Sequence, residues 1–234
     1  MVEILKLTSN YCIIYKPSGI PTQSDPTGDK DAMTLTSELL SSMGEKTSLW
    51  LIHRLDRVVG GVIVFARNKH SAAVLSESVK EKAFDKEYLA VVEGECEGGI
   101  FKDYIFKDRL KNKAYITDRP RQGVKNAELE CSVLDSYKDE SGVKTLVRVR
   151  LYTGRFHQIR AQLSYRKNPI VGDKKYGSRA SGGEGIALFA SRLGFDYEGR
   201  HIEEVRLPIV EKYPWCLFDK SIYEKYENEE QNDA

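Results

Sequence analysis

Across residues 144–152 apolar and charged side chains alternate with a period of two. Val147, Val149 and Leu151 are separated by Arg148 and Arg150. Successive strand residues point to opposite faces, so the segment reads as a strand with one buried face and one wet, basic face, the pattern of an antiparallel sheet. Residues 127–137 are its expected antiparallel partner, joined to it through the polar turn 138–142. The aromatic and β-branched run Tyr11-Cys-Ile-Ile-Tyr15 is a third strand, ended by the turn signal Lys16-Pro-Ser-Gly19. The apolar run 62–66 is a fourth. Residues 87–93 form a fifth, with Tyr88, Ala90 and Val92 on one face.

Helical periodicity separates these strands. Leu35, Leu39 and Met43 recur every four residues before Gly44, and a second helix over about 70–82 buries Ala72, Leu75 and Val79. A third is expected over 155–166, with Phe156, Ile159 and Leu163 inward. Residues 101–123 are basic and rich in turn formers and read as a hairpin or loop insertion. Strands in runs, without regular βαβ alternation, predict an α+β fold: a mostly antiparallel mixed sheet with flanking helices and loops. Neither a repeat nor a linker interrupts the chain, so residues 1–222 are expected to form one domain.

The 234 residues are 41% hydrophobic and 30% charged, ordinary values for a globular protein. The longest apolar run, 58–66, falls far short of the ~18 residues of a membrane span, and the acid at Glu3 argues against a signal peptide. Cys12, Cys96, Cys131 and Cys216 are scattered without metal-type spacing and read as reduced thiols. A soluble cytoplasmic monomer needing no obligatory protein partner is expected. The net charge of +1 hides an asymmetry. Residues 144–175 contain nine basic residues and one acid, whereas residues 224–234 contain five acids and one lysine, so the tail from 223 on is expected to be disordered. A basic stretch fits a polyanionic partner, and it equally fits a solvated charged surface.

One carboxylate stands out. Asp56, in His53-Arg-Leu-Asp-Arg57, lies between Arg54 and Arg57 just before the apolar strand, with no second acid nearby. It fits a surface salt bridge; it also fits a nucleophile held ionised by guanidinium charge. Tyr88 fits a packed aromatic, or a ring that stacks on a base and passes a proton through its hydroxyl. Arg155, after Thr153-Gly154, would stand at a helix N-terminus within reach of a carboxylate or phosphate. His157 reads as a structural histidine rather than a base. Phosphate-loop, zinc-protease and serine-hydrolase motifs are absent, and neither a metal nor an organic cofactor is expected.

Taken in order, these pieces resemble the RluA-type pseudouridine synthases, which isomerise uridine in RNA. The matching segments are Tyr15-Lys-Pro-Ser-Gly-Ile-Pro21, His53-Arg-Leu-Asp56, Lys86-Glu-Tyr88-Leu-Ala90 and Thr153-Gly-Arg155-Phe-His-Gln-Ile-Arg160. Pro169-Ile-Val-Gly-Asp173, Tyr176-Gly177, Ile186-Ala-Leu188-Phe-Ala190 and Leu207-Pro208 follow. The resemblance covers about residues 11–218. It implies that Asp56 is the essential catalytic residue, that Tyr88 stacks on the uracil and serves proton transfer at C5, and that Arg155 pairs with Asp56. It also implies that Leu188 helps wall the pocket and that Arg54 lies near the flipped nucleotide. Lys16, Arg57, Arg160 and Lys174 are further expected substrate contacts, on structured RNA of the rRNA or tRNA class. The reaction consumes no water, so the second carboxylate of a glycosidase is unnecessary. The base must leave its stack, which favours loops over perfect helices.

The chain departs from the family pattern at Val59-Gly60-Gly61, where a Thr-Ser-Gly-like turn is usual, and at Phe156, Gln162 and Phe189. Because the first motif begins near residue 11, a separate N-terminal RNA-binding module is not expected. Two other readings compete: a non-catalytic RNA-binding protein or chaperone on the same fold, and a hydrolase using Asp56 with His157 as base.

Overall fold

A computed structural model of the protein describes residues 1–183 and 185–229. In chain order the elements are β1 (Glu3–Leu7), β2 (Tyr11–Lys16), α1 (Ala32–Ser42), β3 (Trp50–Leu51), β4 (Gly60–Ala66) and α2 (Lys69–Lys80). They continue with β5 (Phe84–Glu93), β6 (Gly99–Asp108), β7 (Lys113–Thr117), β8 (Val124–Asp139) and β9 (Gly142–Leu151). The last are α3 (Gln158–Tyr165), β10 (Leu188–Tyr197), β11 (Arg200–Val205) and α4 (Lys220–Asn228). The chain forms two compact units, one from residues 1–86 and 190–206, the other from 87–189 and the segment from Leu207 on. The chain changes unit inside β5 and again inside β10.

In the first unit the strands run in the order β1-β2-β4-β10, with β3 beside β4 and β11 beside β10. The pairs β1–β2, β2–β4, β3–β4 and β10–β11 are antiparallel. The apolar run that marked β4 is buried along its whole length, as a central strand covered on both faces should be. Its Val62 and Val64 pack with Tyr11, Ile13, Leu75 and Phe195, against which Ala72 and Val79 of α2 also rest. Asp31 caps α1 by accepting from the Thr34 N–H (2.9 Å), and Asn68 caps α2 from Ser71 (2.8 Å). Gly61 is required where it stands. Its φ is +130°, and a Cβ there would lie 2.1 Å from the Ala190 carbonyl oxygen, so β4 meets β10 only without a side chain.

In the second unit the order is β5-β9-β8-β6-β7, again antiparallel at every pair. The β6–β7 hairpin takes the place of the basic insertion expected over 101–123. Three expectations are corrected here. The third helix begins at Gln158, three residues later than its periodicity suggests, because His157 takes a left-handed conformation (φ 51°). The face of β9 holding Arg148 and Arg150 is half-buried rather than wet. Arg150 lies opposite Glu87 on β5 and Glu130 on β8, and Arg148 pairs with Glu229 at 2.8 Å. Third, residues 223–228 of the expected disordered tail belong to α4, with Tyr223 and Tyr226 buried. The tail residues 230–234 lie outside the described residues. No helix among the described residues is long and apolar enough to cross a membrane.

Candidate active site

Asp56 occupies the link between β3 and β4, half-buried, beside the segment that follows β2. That segment holds the Asp56 link through its backbone. Thr22 Oγ1 donates to the Leu55 carbonyl (2.8 Å) and accepts from the Leu55 N–H (3.1 Å), so one buried hydroxyl satisfies the residue before Asp56 on both sides. The Gly19 N–H donates to the Arg57 carbonyl at 2.8 Å, and Ser18 Oγ donates to the Val58 carbonyl at 2.8 Å. Within the link, the Val59 N–H donates to the Asp56 carbonyl at 3.0 Å. Each peptide from 55 to 58 is therefore tied down, which fixes where the Asp56 carboxylate projects.

Lys16 completes this cradle from inside. Its side chain is fully buried, and its ammonium donates to the carbonyls of Ile20 (2.7 Å), Pro17 (3.1 Å) and Arg57 (3.4 Å). Burial pulls its pKa down to about 7; the Asp56 charge opposes that shift and the Arg57 charge adds to it. The Lys16 ammonium, expected to contact substrate, lies inside the fold on these three backbone acceptors. Arg57 is likewise turned elsewhere. Its guanidinium meets Asp29, Asp25 (3.6 Å) and the Thr27 hydroxyl (2.9 Å) of the preceding loop. Lys16 is thus a cation close enough for the Asp56 charge to act on it from within the fold, while Arg54 is exposed. His53 is half-buried and accepts from the Val64 N–H (3.4 Å). Loss of solvent around its ring, and then the Lys86 charge, lower its pKa to about 3. The imidazole is neutral and anchors the start of the link to β4.

In the second unit Tyr88 sits on β5 opposite Val149 of β9, 8% exposed. The same strand, through the Val91 N–H and the Ala187 carbonyl (3.0 Å), holds the segment that ends in Leu188, the buried first residue of β10. Arg155 follows β9 in the loop before α3, not at the first turn of a helix. Its Nε donates to the Asn126 carbonyl at 2.8 Å. Gln158 fixes that loop: its Oε1 accepts from the Arg155 N–H (2.9 Å) and from Thr153 Oγ1 (2.8 Å), and its Nε2 donates to the Glu128 carbonyl (3.1 Å). This backward reach of three residues lies outside the helix, whose N-cap is His157, so no capping-box signal in the sequence marks it. Thr22 offers no signal either, because its partner is thirty-three residues away.

Arg160, expected to touch substrate, is buried. It grips Asp173 through two bonds, at 2.7 and 2.9 Å, with the Tyr176 ring 4.9 Å from its guanidinium carbon. Lys174 remains exposed at the short turn beside that pair. His157 holds the Tyr176 hydroxyl at 3.0 Å, and that hydroxyl accepts from the Ala114 N–H at 2.8 Å. Burial, together with Arg160, Lys175 and Lys107, lowers the His157 pKa to about 3. So weak a base gives no support to a hydrolase built on it.

The chain's relatives fit this arrangement. A family model described as RNA pseudouridylate synthase matches residues 10–165, from β2 through α3. A Haemophilus ducreyi protein named ribosomal large subunit pseudouridine synthase C is 30% identical over 170 residues, covering 72% of this chain and 51% of the relative. Its namesake from Escherichia coli K12 is 29% identical over 226 residues, 92% of this chain and 68% of the relative. The chain thus spans about half the length of the first relative and about two thirds of the second. Among solved structures, human RNA pseudouridylate synthase domain containing 1 superposes with a TM-score of 0.72 at 22% identity, covering 89% of this chain and 84% of that one. The human domain-containing-4 protein gives 0.72 at 24%, with 88% and 89% covered. These two speak to the fold. With the model match spanning the Lys16 turn, the Asp56 link, Tyr88 and Arg155, the chain belongs to the RNA pseudouridylate synthase family.

Proposed function

We propose that this protein is a cofactor-independent RNA pseudouridine synthase that isomerises uridine in RNA, with Asp56 as its essential carboxylate. The observation that carries the reading is the cradle around residues 55–58. One lone carboxylate is held on a backbone fixed by Thr22, Gly19 and Ser18, over a buried ammonium. A surface salt bridge has no need of such support. In this reading the N1–C1′ bond breaks, the uracil turns, C5 joins C1′, and the proton at C5 leaves with the help of Tyr88. Arg155 pairs with Asp56, Leu188 walls the pocket, and Arg54 and Lys174 contact the nucleotide and its phosphates.

The names of the relatives favour ribosomal RNA of the large subunit as the substrate class, ahead of tRNA. The protein acts in the cytoplasm as a monomer, on a base drawn out of its stack. Pseudouridine mapping of rRNA and tRNA from cells with and without the gene tests the substrate. The expected result is loss of modification at one or a few large-subunit positions. Unchanged rRNA with altered tRNA would reverse the preference between the two.

A further inference from the structure

Cys96 and Cys131 are thirty-five residues apart in the chain, yet their sulfurs lie 4.0 Å from each other. Cys131 is buried in β8, and Cys96 is half-buried in the link from β5 to β6. That link is pinned. Asn168 Nδ2 donates to the carbonyls of Glu93 (3.0 Å) and Glu95 (2.8 Å), and the Gly94 N–H donates to the Val143 carbonyl (2.8 Å). Gly98, at φ +71°, lets the link lie against β8, because a Cβ there would stand 2.7 Å from the Cys131 carbonyl oxygen. Gly99 then pairs with Cys131 in the β6–β8 register. The two thiols are therefore held together by backbone on both sides.

Their environments divide the proton between them. A hydrogen bond from Cys131, the Gly98 N–H and the charge of Arg166 draw Cys96 well below the ordinary thiol pKa, against burial and Glu97. The same bond and deeper burial drive Cys131 upward. Cys96 is thus the more acidic and the less buried thiol of the pair. The other two cysteines lack this setting: buried Cys12 is raised to about 11 by desolvation, and Cys216 is exposed.

We infer that Cys96 and Cys131 are a peroxide-sensitive thiol pair, a modification site closed by a reversible disulfide between the β5–β6 link and β8. The Cys96 thiolate attacks one oxygen of hydrogen peroxide. The S–O bond forms, the O–O bond breaks, and hydroxide leaves as water after taking a proton from solvent. Cys96 is now a sulfenic acid. The Cys131 sulfur attacks the Cys96 sulfur, the S–S bond forms, the S–O bond breaks, and the Cys131 proton leaves with that oxygen as water. With hydrogen peroxide the balance is two thiols and one peroxide to one disulfide and two waters, and a dithiol reverses it by exchange. Closure brings the sulfurs from 4.0 Å to a bonding length of ~2.05 Å.

The test is oxidation of the reduced full chain by limiting hydrogen peroxide, quenched with N-ethylmaleimide in denaturant so that buried thiols are alkylated, and followed by non-reducing peptide mass mapping. The expected result is a Cys96–Cys131 cross-linked peptide, a loss of two hydrogens from the intact mass, alkylated Cys12 and Cys216, and full reversal by dithiothreitol. In Cys131→Ser, Cys96 should accumulate as a sulfenic acid trapped by dimedone faster than Cys216 reacts. Oxidation that goes first to Cys216, a disulfide only between molecules, or a Cys96 no more reactive than Cys216 in the serine variant would overturn the inference.

Discussion

Both hydrogen-bonding groups of Leu55 depend on one buried hydroxyl, that of Thr22. Thr22→Val keeps the shape and leaves a buried N–H and C=O unpaired, at a cost of about 1–3 kcal/mol. Urea unfolding of Thr22→Val should show that loss and Thr22→Ser should not; equal midpoints for all three chains would contradict the clamp. The buried Lys16 ammonium ties stability to pH. The native chain releases the Lys16 proton near pH 7, whereas the unfolded chain holds it to about 10.5. Between those values the unfolded state binds more protons, so the cost of the buried charge is full below pH 7 and gone above 10.5. The stability of Lys16→Met relative to the native chain should therefore fall with rising pH, by up to about 1.4 kcal/mol per unit across that window. A difference that does not vary with pH would show that Lys16 titrates normally. Asp56 and Tyr88 stand out in the sequence because their motifs are local. Thr22 does not, since its chemistry depends on an approach that only folding creates.

Elements defined by simple periodicity are the legible ones. The strand at 11–15, the helix before Gly44, the apolar strand β4 and the β8–β9 pair lie close to where their patterns put them, because each buries a face its own residues define. The start of α3 is not legible. It depends on a left-handed His157 and on Gln158 bonding back to Arg155, neither of which alters the apolar spacing. Gly61 reads as a departure from the family's turn until β10 is placed beside it. Gly61→Ala must then meet the Ala190 carbonyl at an unfavourable φ, costing about 3 kcal/mol or more. An unchanged urea midpoint would contradict that close approach. Arg160→Leu leaves the Asp173 carboxylate buried and unpaired, and should cost about 3–5 kcal/mol while leaving the RNA affinity of the folded fraction intact. Weakened RNA binding at full stability would instead restore Arg160 as a substrate-binding residue.

Across the whole molecule, charge counted along the chain misjudges charge on the surface. Of the run from 144 to 175, Lys144 is tied to Asp139 and Ser141, Arg148 to Glu229, Arg160 to Asp173 and Arg166 to Asp103. Lys174 and Lys175 are exposed. Counterion release then predicts that Lys174→Ala together with Lys175→Ala flattens the salt dependence of RNA binding by roughly 0.7–0.9 for each phosphate no longer neutralised. Lys144→Ala should leave that slope alone, and an equal effect from Lys144 would mean that the interior pairings open on RNA. Composition does not separate these residues, because the acids that neutralise them lie elsewhere in the chain. In the proposed function a single carboxylate, Asp56, serves the isomerisation of uridine. Tritium release from RNA carrying [5-tritium]uridine measures this directly. The expected result is release by the native chain, and none by an Asp56→Asn variant whose thermal midpoint and RNA affinity are nearly unchanged. Turnover retained by Asp56→Asn, or no release by the folded native chain on either total rRNA or tRNA, would contradict it.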